Sequence, residues 1–173
     1  MNLLLPNGAR VLGQGITGQE GRIAAAAMLA YHTKLVAGVT PGKGGQSLNG
    51  VPIFNTVKEA LTVVGPVNAS IQFVPPFLTK VACEEALNAG VPFILIGAER
   101  VPVRDTALIL SLVRRHRAAV LGPSSVGLIN PRRELKLGVI GGRQPELVYQ
   151  SGDIAVLSKS GGMTSEISFL TDS

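Results

Sequence analysis

The chain has 173 residues, of which 46% are apolar, with 21 glycines, 11 prolines and a net charge of +5. This length and composition suit one compact α/β domain and the start of another, and exclude a disordered or fibrous chain. With no Trp and an aromatic content of 4%, bases of a nucleic acid find few stacking platforms, so no nucleic-acid partner is expected.

Cys83 is the single cysteine, which rules out an internal disulfide and suits a reducing compartment. It falls in an Ala-rich helical pattern, so a small buried side chain is expected rather than a nucleophile. His32 and His116 lack the spacing of metal ligands, and no metal site is expected. Leu3-Leu4-Leu5 is too short for a signal peptide or a membrane span, so the expectation is a cytoplasmic protein without membrane attachment. The one dense basic run, Arg114 to Arg117, reads as the solvated end of a helix, where cations oppose the negative dipole. An acidic partner is the other reading of that run.

In chain order, Ala9–Gly13 reads as a strand that runs into the glycine turn Gly13-Gln-Gly15-Ile-Thr-Gly18-Gln-Glu-Gly21. Glycines there let the backbone turn tightly and let a ligand approach. The helix Glu20–Tyr31 follows, and the unpaired N–H groups at its start favour an anion. Lys34–Val39 is a second strand, apolar as strands buried on both faces are. The loop Thr40–Gly45 follows, then a short extended piece at Val51–Phe54. Asn55 is expected to cap a helix over Thr56–Val64. Ala69–Val74 is a third strand, closed by Pro75-Pro76. A helix over Pro76–Ala89 ends at Gly90, in the place of a C′ glycine. Pro92–Ile96 is a fourth strand, Val103–Arg117 a helix, and Ala118–Leu121 a fifth strand. Residues 128–152 read as irregular. Ile154–Leu157 then looks like a fresh strand, Ser158–Met163 a turn, and Thr164–Leu170 the start of a helix.

Alternating strands and helices predict a doubly wound parallel sheet. Ligands of such sheets sit beyond the carboxyl ends of the strands. That edge would gather the loops at 13–21, 40–45, 75–76, 97–100 and 122–127. Gly13-x-Gly15-x-x-Gly18 matches the dinucleotide fingerprint, but no acid follows the second strand to hold ribose hydroxyls. Lys43 stands there instead, and a cation suits a ribose phosphate, which both NADP and coenzyme A (CoA) carry. The residues leave that choice open. The Ser158–Gly162 turn offers hydroxyls and helix-start N–H groups, either as caps or as a cradle for a phosphoryl group.

Gln14–Gly18, Gly38–Gly45, Gly50–Ala60, Phe73–Phe77, Gly122–Gly127, Lys136–Gly138 and Ser158–Gly161 together resemble, in order, the amino-terminal part of the succinyl-CoA synthetase α-subunit family. The resemblance implies a Rossmann-like CoA-binding domain over 1–130, a link over 131–152 and the beginning of a second, ligase domain over 153–173. It implies that CoA is held by Gly15, Thr17, Gly18, Gln19, Glu20, Lys43, Pro75, Gly97, Ala98 and Glu99. It further implies that Ser158, Ser160, Gly161 and Gly162 serve phosphate or substrate.

Ala98 stands where the family has a hydroxyl residue, and Ser165 where a tyrosine is common. The Ser158–Met163 turn, with its two glycines and Met, is more like the ATP-citrate lyase and citryl-CoA synthetase branch. The family makes an acyl-CoA from a di- or tricarboxylic acid, CoA and ATP or GTP with Mg, through a phosphohistidine and an acyl phosphate. The resemblance places that histidine outside this chain, gives the chain no catalytic residue of its own, and implies an ATP-grasp β subunit or region as partner. A stand-alone CoA-binding module and an NADP-dependent oxidoreductase are the other readings.

Overall fold

In the computed structural model, which describes residues 5–142 and 144–171, a seven-stranded sheet forms the centre of the fold. Leu3 and Leu4 of the amino-terminal apolar triplet lie outside the described residues. The elements are β1 (Arg10–Gln14), α1 (Gln19–Ala30), β2 (Lys34–Val39), β3 (Ser47–Leu48), β4 (Val51–Phe54), α2 (Val57–Val64), β5 (Ala69–Gln72), α3 (Thr79–Asn88), β6 (Phe93–Ile96), α4 (Val103–Arg115), β7 (Ala119–Leu121), β8 (Gly127–Asn130), β9 (Leu135–Gly138) and α5 (Gly161–Leu170). The strand order is β3-β4-β2-β1-β5-β6-β7, parallel except for the antiparallel β3–β4 pair. This is the doubly wound, Rossmann-like sheet that the alternating pattern predicts. The order in which strands are added reverses between β1 and β5, where such sheets open a crevice for ligands.

Successive β1 residues Val11 and Leu12 point to opposite faces, and both are fully buried. On one face Val11, Leu35, Ile71 and Leu95 pack with Ala25 and Met28 of α1 and with Leu135 and Leu137 of β9. On the other, Leu12, Val39, Ile94 and Ile96 pack with Val57, Ala60, Ala86, Leu87, Ile109 and Val113 of α2, α3 and α4. The first face carries a single helix of the alternating series, and the β8–β9 hairpin covers what that helix leaves open.

That hairpin corrects the sequence reading of residues 128–152 as irregular. Leu135 and Leu137 alternate with Lys136, so the two leucines meet the sheet. Lys136 is nonetheless buried: its backbone N–H donates to Thr33 Oγ1 at 3.0 Å, its carbonyl accepts from the same hydroxyl at 2.8 Å, and its Nζ donates to the Gly142 carbonyl at 2.5 Å. Burial lowers the Lys136 pKa from the usual lysine value, against a smaller opposing effect of Glu146.

Two further expectations change. The apolar run Ile154–Leu157 forms no strand, since no other strand among the described residues pairs with it, and Ile154 and Leu157 are exposed. The N-cap of α2 is Thr56 rather than Asn55: Thr56 Oγ1 accepts from Glu59 N at 3.1 Å. Elsewhere the helix after Pro75 begins as a 3₁₀ turn over Pro76–Leu78, and α5 starts at Gly161, ahead of the expected Thr164.

Candidate functional site

The glycine turn is built around Ile16, which is fully buried. Gly13 and Gly38 face each other across β1 and β2, and a Cβ on either would stand within 2.6 Å of an Ile16 side-chain atom. The paired glycines therefore open the slot into which Ile16 drops. Gly21 closes it from the helix side, since a Cβ there would meet Ile16 Cα at 2.6 Å. Gly13 and Gly21 thus serve internal packing, which corrects the reading of all four glycines as ligand clearance. Gly15 makes the turn, at φ +77°, where a Cβ would meet the Phe73 carbonyl oxygen at 2.6 Å.

Gly18 is different. A Cβ there would meet nothing closer than Gly15 O at 3.5 Å, and its φ is an ordinary −73°. Gly18 supplies no side-chain cap to α1, and the N–H groups of Gln19, Glu20 and Gly21 have no acceptor among the described residues. Three donors and the positive helix end thus face outward at the carboxyl edge of the sheet. Gln19 and Glu20 are exposed.

The neighbouring loops join this turn in sequence. Thr17, itself buried, donates from Oγ1 to Thr40 Oγ1 at 3.1 Å, so its hydroxyl ties the first loop to the second. Asn55 Oδ1 accepts from Gly42 N at 2.9 Å and Gly44 N at 3.1 Å, which shapes the loop that presents Lys43. The Lys43 ammonium is half-buried and has no partner among the described residues. On the other side Gly97 N donates to Gln72 O at 3.2 Å, and Ser124 N to Ala98 O at 3.0 Å. Glu99 and Pro75 are exposed on the same edge. Finally, Val126 lies against Gly161, where a Cβ would approach it to 2.7 Å. The predicted loops are thus contiguous along one edge, from Lys43 to the start of α5.

At that far end Ser160 caps α5, its Oγ accepting from Met163 N at 3.3 Å, and Ser158 Oγ accepts from Ser160 N at 3.1 Å. Both hydroxyls act as local caps, while the Gly161 and Gly162 N–H groups have no acceptor among the described residues. Tyr149 Oη and Ser165 Oγ, 2.8 Å apart, tie α5 to the preceding segment.

Arg22 went unrecognised in the sequence. It lies in the first turn of α1, is exposed, and donates from Nε to the Thr17 carbonyl at 2.8 Å. A cation in a first helical turn opposes the dipole, and that is the signal from which it could have been read. No carboxylate pairs with it among the described residues, so the rest of its guanidinium is open to an anion.

Beneath the turn lies a buried polar network. Gln14 Oε1 accepts from Ser70 Oγ at 2.8 Å and from Gln72 Nε2 at 2.9 Å, and Gln14 Nε2 donates to Ala82 O at 3.0 Å. Cys83 Sγ donates to Gln72 Oε1 at 3.2 Å, and Glu85 Oε1 accepts from Val57 N at 2.8 Å. The network fixes the ends of β1 and β5 and the start of α2 to α3. Burial pushes the Cys83 thiol up to about 12, against a smaller lowering by the Gln72 hydrogen bond, so the thiol stays protonated and is no nucleophile. Among the described residues no group of three His, Cys, Asp or Glu side chains could hold a metal ion, and no helix is long and apolar enough to cross a membrane. His32 follows α1 and His116 follows α4, so both sit at the amino edge of the sheet, away from these loops.

The profile of the CoA binding domain family matches residues 7–100. The succinate–CoA ligase [ADP-forming] subunit alpha of Aquifex aeolicus is 38% identical over 171 residues, spanning 98% of this chain and 54% of that protein. The malate–CoA ligase subunit alpha of Methylorubrum extorquens is 38% identical over 165 residues, 93% of this chain and 54% of that one. The chain spans about half the length of the curated relatives it matches. The structure of ATP citrate lyase from Methanothrix soehngenii, in complex with citrate and coenzyme A, superposes with a TM-score of 0.83 over 97% of this chain and 30% of that chain, at 20% identity. That likeness is one of fold. Sequence and profile together show that the chain belongs to the CoA-binding domain family and has succinate–CoA ligase α subunits among its relatives.

Proposed function

We propose that this chain is the CoA-binding part of a nucleotide-dependent acid–CoA ligase acting on a di- or tricarboxylic acid. The observation that carries this reading is the open donor set at the start of α1: three unpaired N–H groups at Gln19, Glu20 and Gly21, flanked by Lys43 and by Arg22, whose guanidinium is held on the Thr17 carbonyl through Nε alone. Backbone donors at a helix start suit the pyrophosphate of CoA. Lys43, one loop away, suits its ribose 3′-phosphate. Pro75, Gly97, Ala98 and Glu99 line the next stretch of the edge, toward which the pantetheine arm would run.

In this reading the chain binds and orients CoA, and Gly161 and Gly162 offer their N–H groups to a phosphoryl group in transit. The histidine that carries the phosphoryl group lies outside this chain, and an ATP-grasp subunit or region supplies ATP or GTP with Mg. Residues 153–173 begin the ligase domain. The range of acids named for the relatives, succinate and malate, supports the acid class rather than one acid.

Replacing Lys43 tests the phosphate assignment. Lys43→Ala is expected to weaken CoA about fivefold or more and to leave dephospho-CoA, which lacks the 3′-phosphate, unchanged. If dephospho-CoA binds the unaltered chain as tightly as CoA does, Lys43 has no such role.

A further inference from the structure

The opposite, amino edge of the sheet carries a second cationic site. A cleft of about 560 Å³ opens there between three walls, with Ser151 beside them: Asn7–Ala9 just before β1, His32–Lys34 from the end of α1 into β2, and Pro131–Leu135 from the end of β8 into β9. Four basic side chains line it, His32, Lys34, Arg132 and Arg133, against the single carboxylate of Glu134.

Two of the four are partly committed. Arg133 Nη1 donates to the Leu5 carbonyl. Arg132 Nη2 donates to Asp153 Oδ1 at 3.2 Å and to Gly152 O at 3.4 Å. The Lys34 ammonium and the His32 ring have no hydrogen bond or ion pair among the described residues. Each wall also turns through a left-handed residue at the cleft: Gly8 at φ +66°, His32 at +63° and Glu134 at +48°. Lys34 Nζ lies only 3.1 Å from where a Gly8 Cβ would stand, so the glycine makes the room in which the ammonium sits.

Cations beyond a helix end are ordinarily explained by the dipole, and that accounts for His32 and Lys34. It does not account for Arg132 and Arg133, which come from a hairpin a hundred residues later and converge on the same cleft. We propose that the cleft is a second anion site, taking a compact dianion of the phosphate or dicarboxylate kind. Its volume falls within that of small-molecule sites, and guanidinium groups suit both oxyanions. Arg132 already pairs with a carboxylate, that of the exposed Asp153, which is not part of the cleft lining. A bound dianion would compete with Asp153 for Arg132.

The test is a titration of the chain with inorganic phosphate and, separately, with succinate. It is followed by amide chemical shifts at low ionic strength, in the presence and absence of CoA. The expected result is one saturable event with shifts centred on Gly8, Thr33 and Glu134, unaffected by CoA, and weakened about fivefold or more by Lys34→Gln. His32→Asn, which keeps a side chain tolerated in the left-handed region, should weaken it too. A response to phosphate alone or to succinate alone identifies the source, and either supports the site. Absence of saturable shifts at these amides overturns it, as do shifts confined to Gln19–Gly21 or undiminished binding by the Lys34 variant. The readout does not depend on CoA binding, so failure here and failure of the CoA assignment are distinguishable.

Discussion

Gly18 and Gly21 are three residues apart and fail differently when given a methyl group. At Gly21 the methyl would press on the backbone of Ile16 and Gly15 at 2.6–2.7 Å, so Gly21→Ala should lower stability by about 2 kcal/mol, read as a shift in the denaturant midpoint. At Gly18 the methyl has room inside the protein and stands where a phosphate would approach the α1 amides. Gly18→Ala should therefore cost less than about 1 kcal/mol of stability, the loss of a good cap residue, yet weaken CoA more than about tenfold. Equal CoA affinity in the Gly18 variant would remove the α1 amides from the site. Gln14 works from below: Gln14→Ala strands Ser70 and Gln72, both fully buried, and should cost about 2–5 kcal/mol in equilibrium unfolding. The four glycines of the turn were legible as a group. Their separate tasks were not, because Gly13 and Gly21 answer to Ile16, and which side chain fills the slot between two strands is set by tertiary register.

At the scale of elements, the loop that carries Lys43 owes its shape to a side chain outside it. Asn55 receives two of its backbone N–H groups. Asn55→Ala should leave α2 capped by Thr56 and helix content by circular dichroism unchanged, while CoA affinity falls about as far as in Lys43→Ala. An unchanged affinity would mean that the loop holds its form without Asn55. Asn55 was the expected cap of α2, with Thr56 as the first helical residue. The capping-box spacing from Thr56 to Glu59 is the signal that points to Thr56 instead. The β8–β9 hairpin had a weaker trace, the alternation Leu135-Lys136-Leu137 beside a Pro131 turn. It was obscured because a lysine on the outer face is usually solvated, whereas Lys136 is buried on Gly142. Ile154–Leu157 erred the other way. An apolar run of four residues has strand propensity, but a strand exists only in a pair, and none of the described residues supplies one.

For the whole molecule, alternation of apolar runs and helical patterns was sufficient to foresee the sheet. The right-handed crossover rule then places every loop that follows a central strand on one edge. The site is a property of that edge rather than of any one motif. It runs from Lys43 through Thr17, Gly15 and Ala98 to Gly161, held by contacts between loops that are far apart in sequence. The doubly wound fold alone does not choose its ligand, because the same crevice serves dinucleotides in other proteins. Lys43 in place of a ribose-binding acid leaves CoA and NADP, and the match of residues 7–100 to the CoA binding domain family favours CoA.

Calorimetric titration of the chain with CoA and with NADPH tests that choice most directly. CoA is expected to bind at one site per chain and NADPH to give no heat of binding. NADPH binding in the absence of CoA binding would contradict the account.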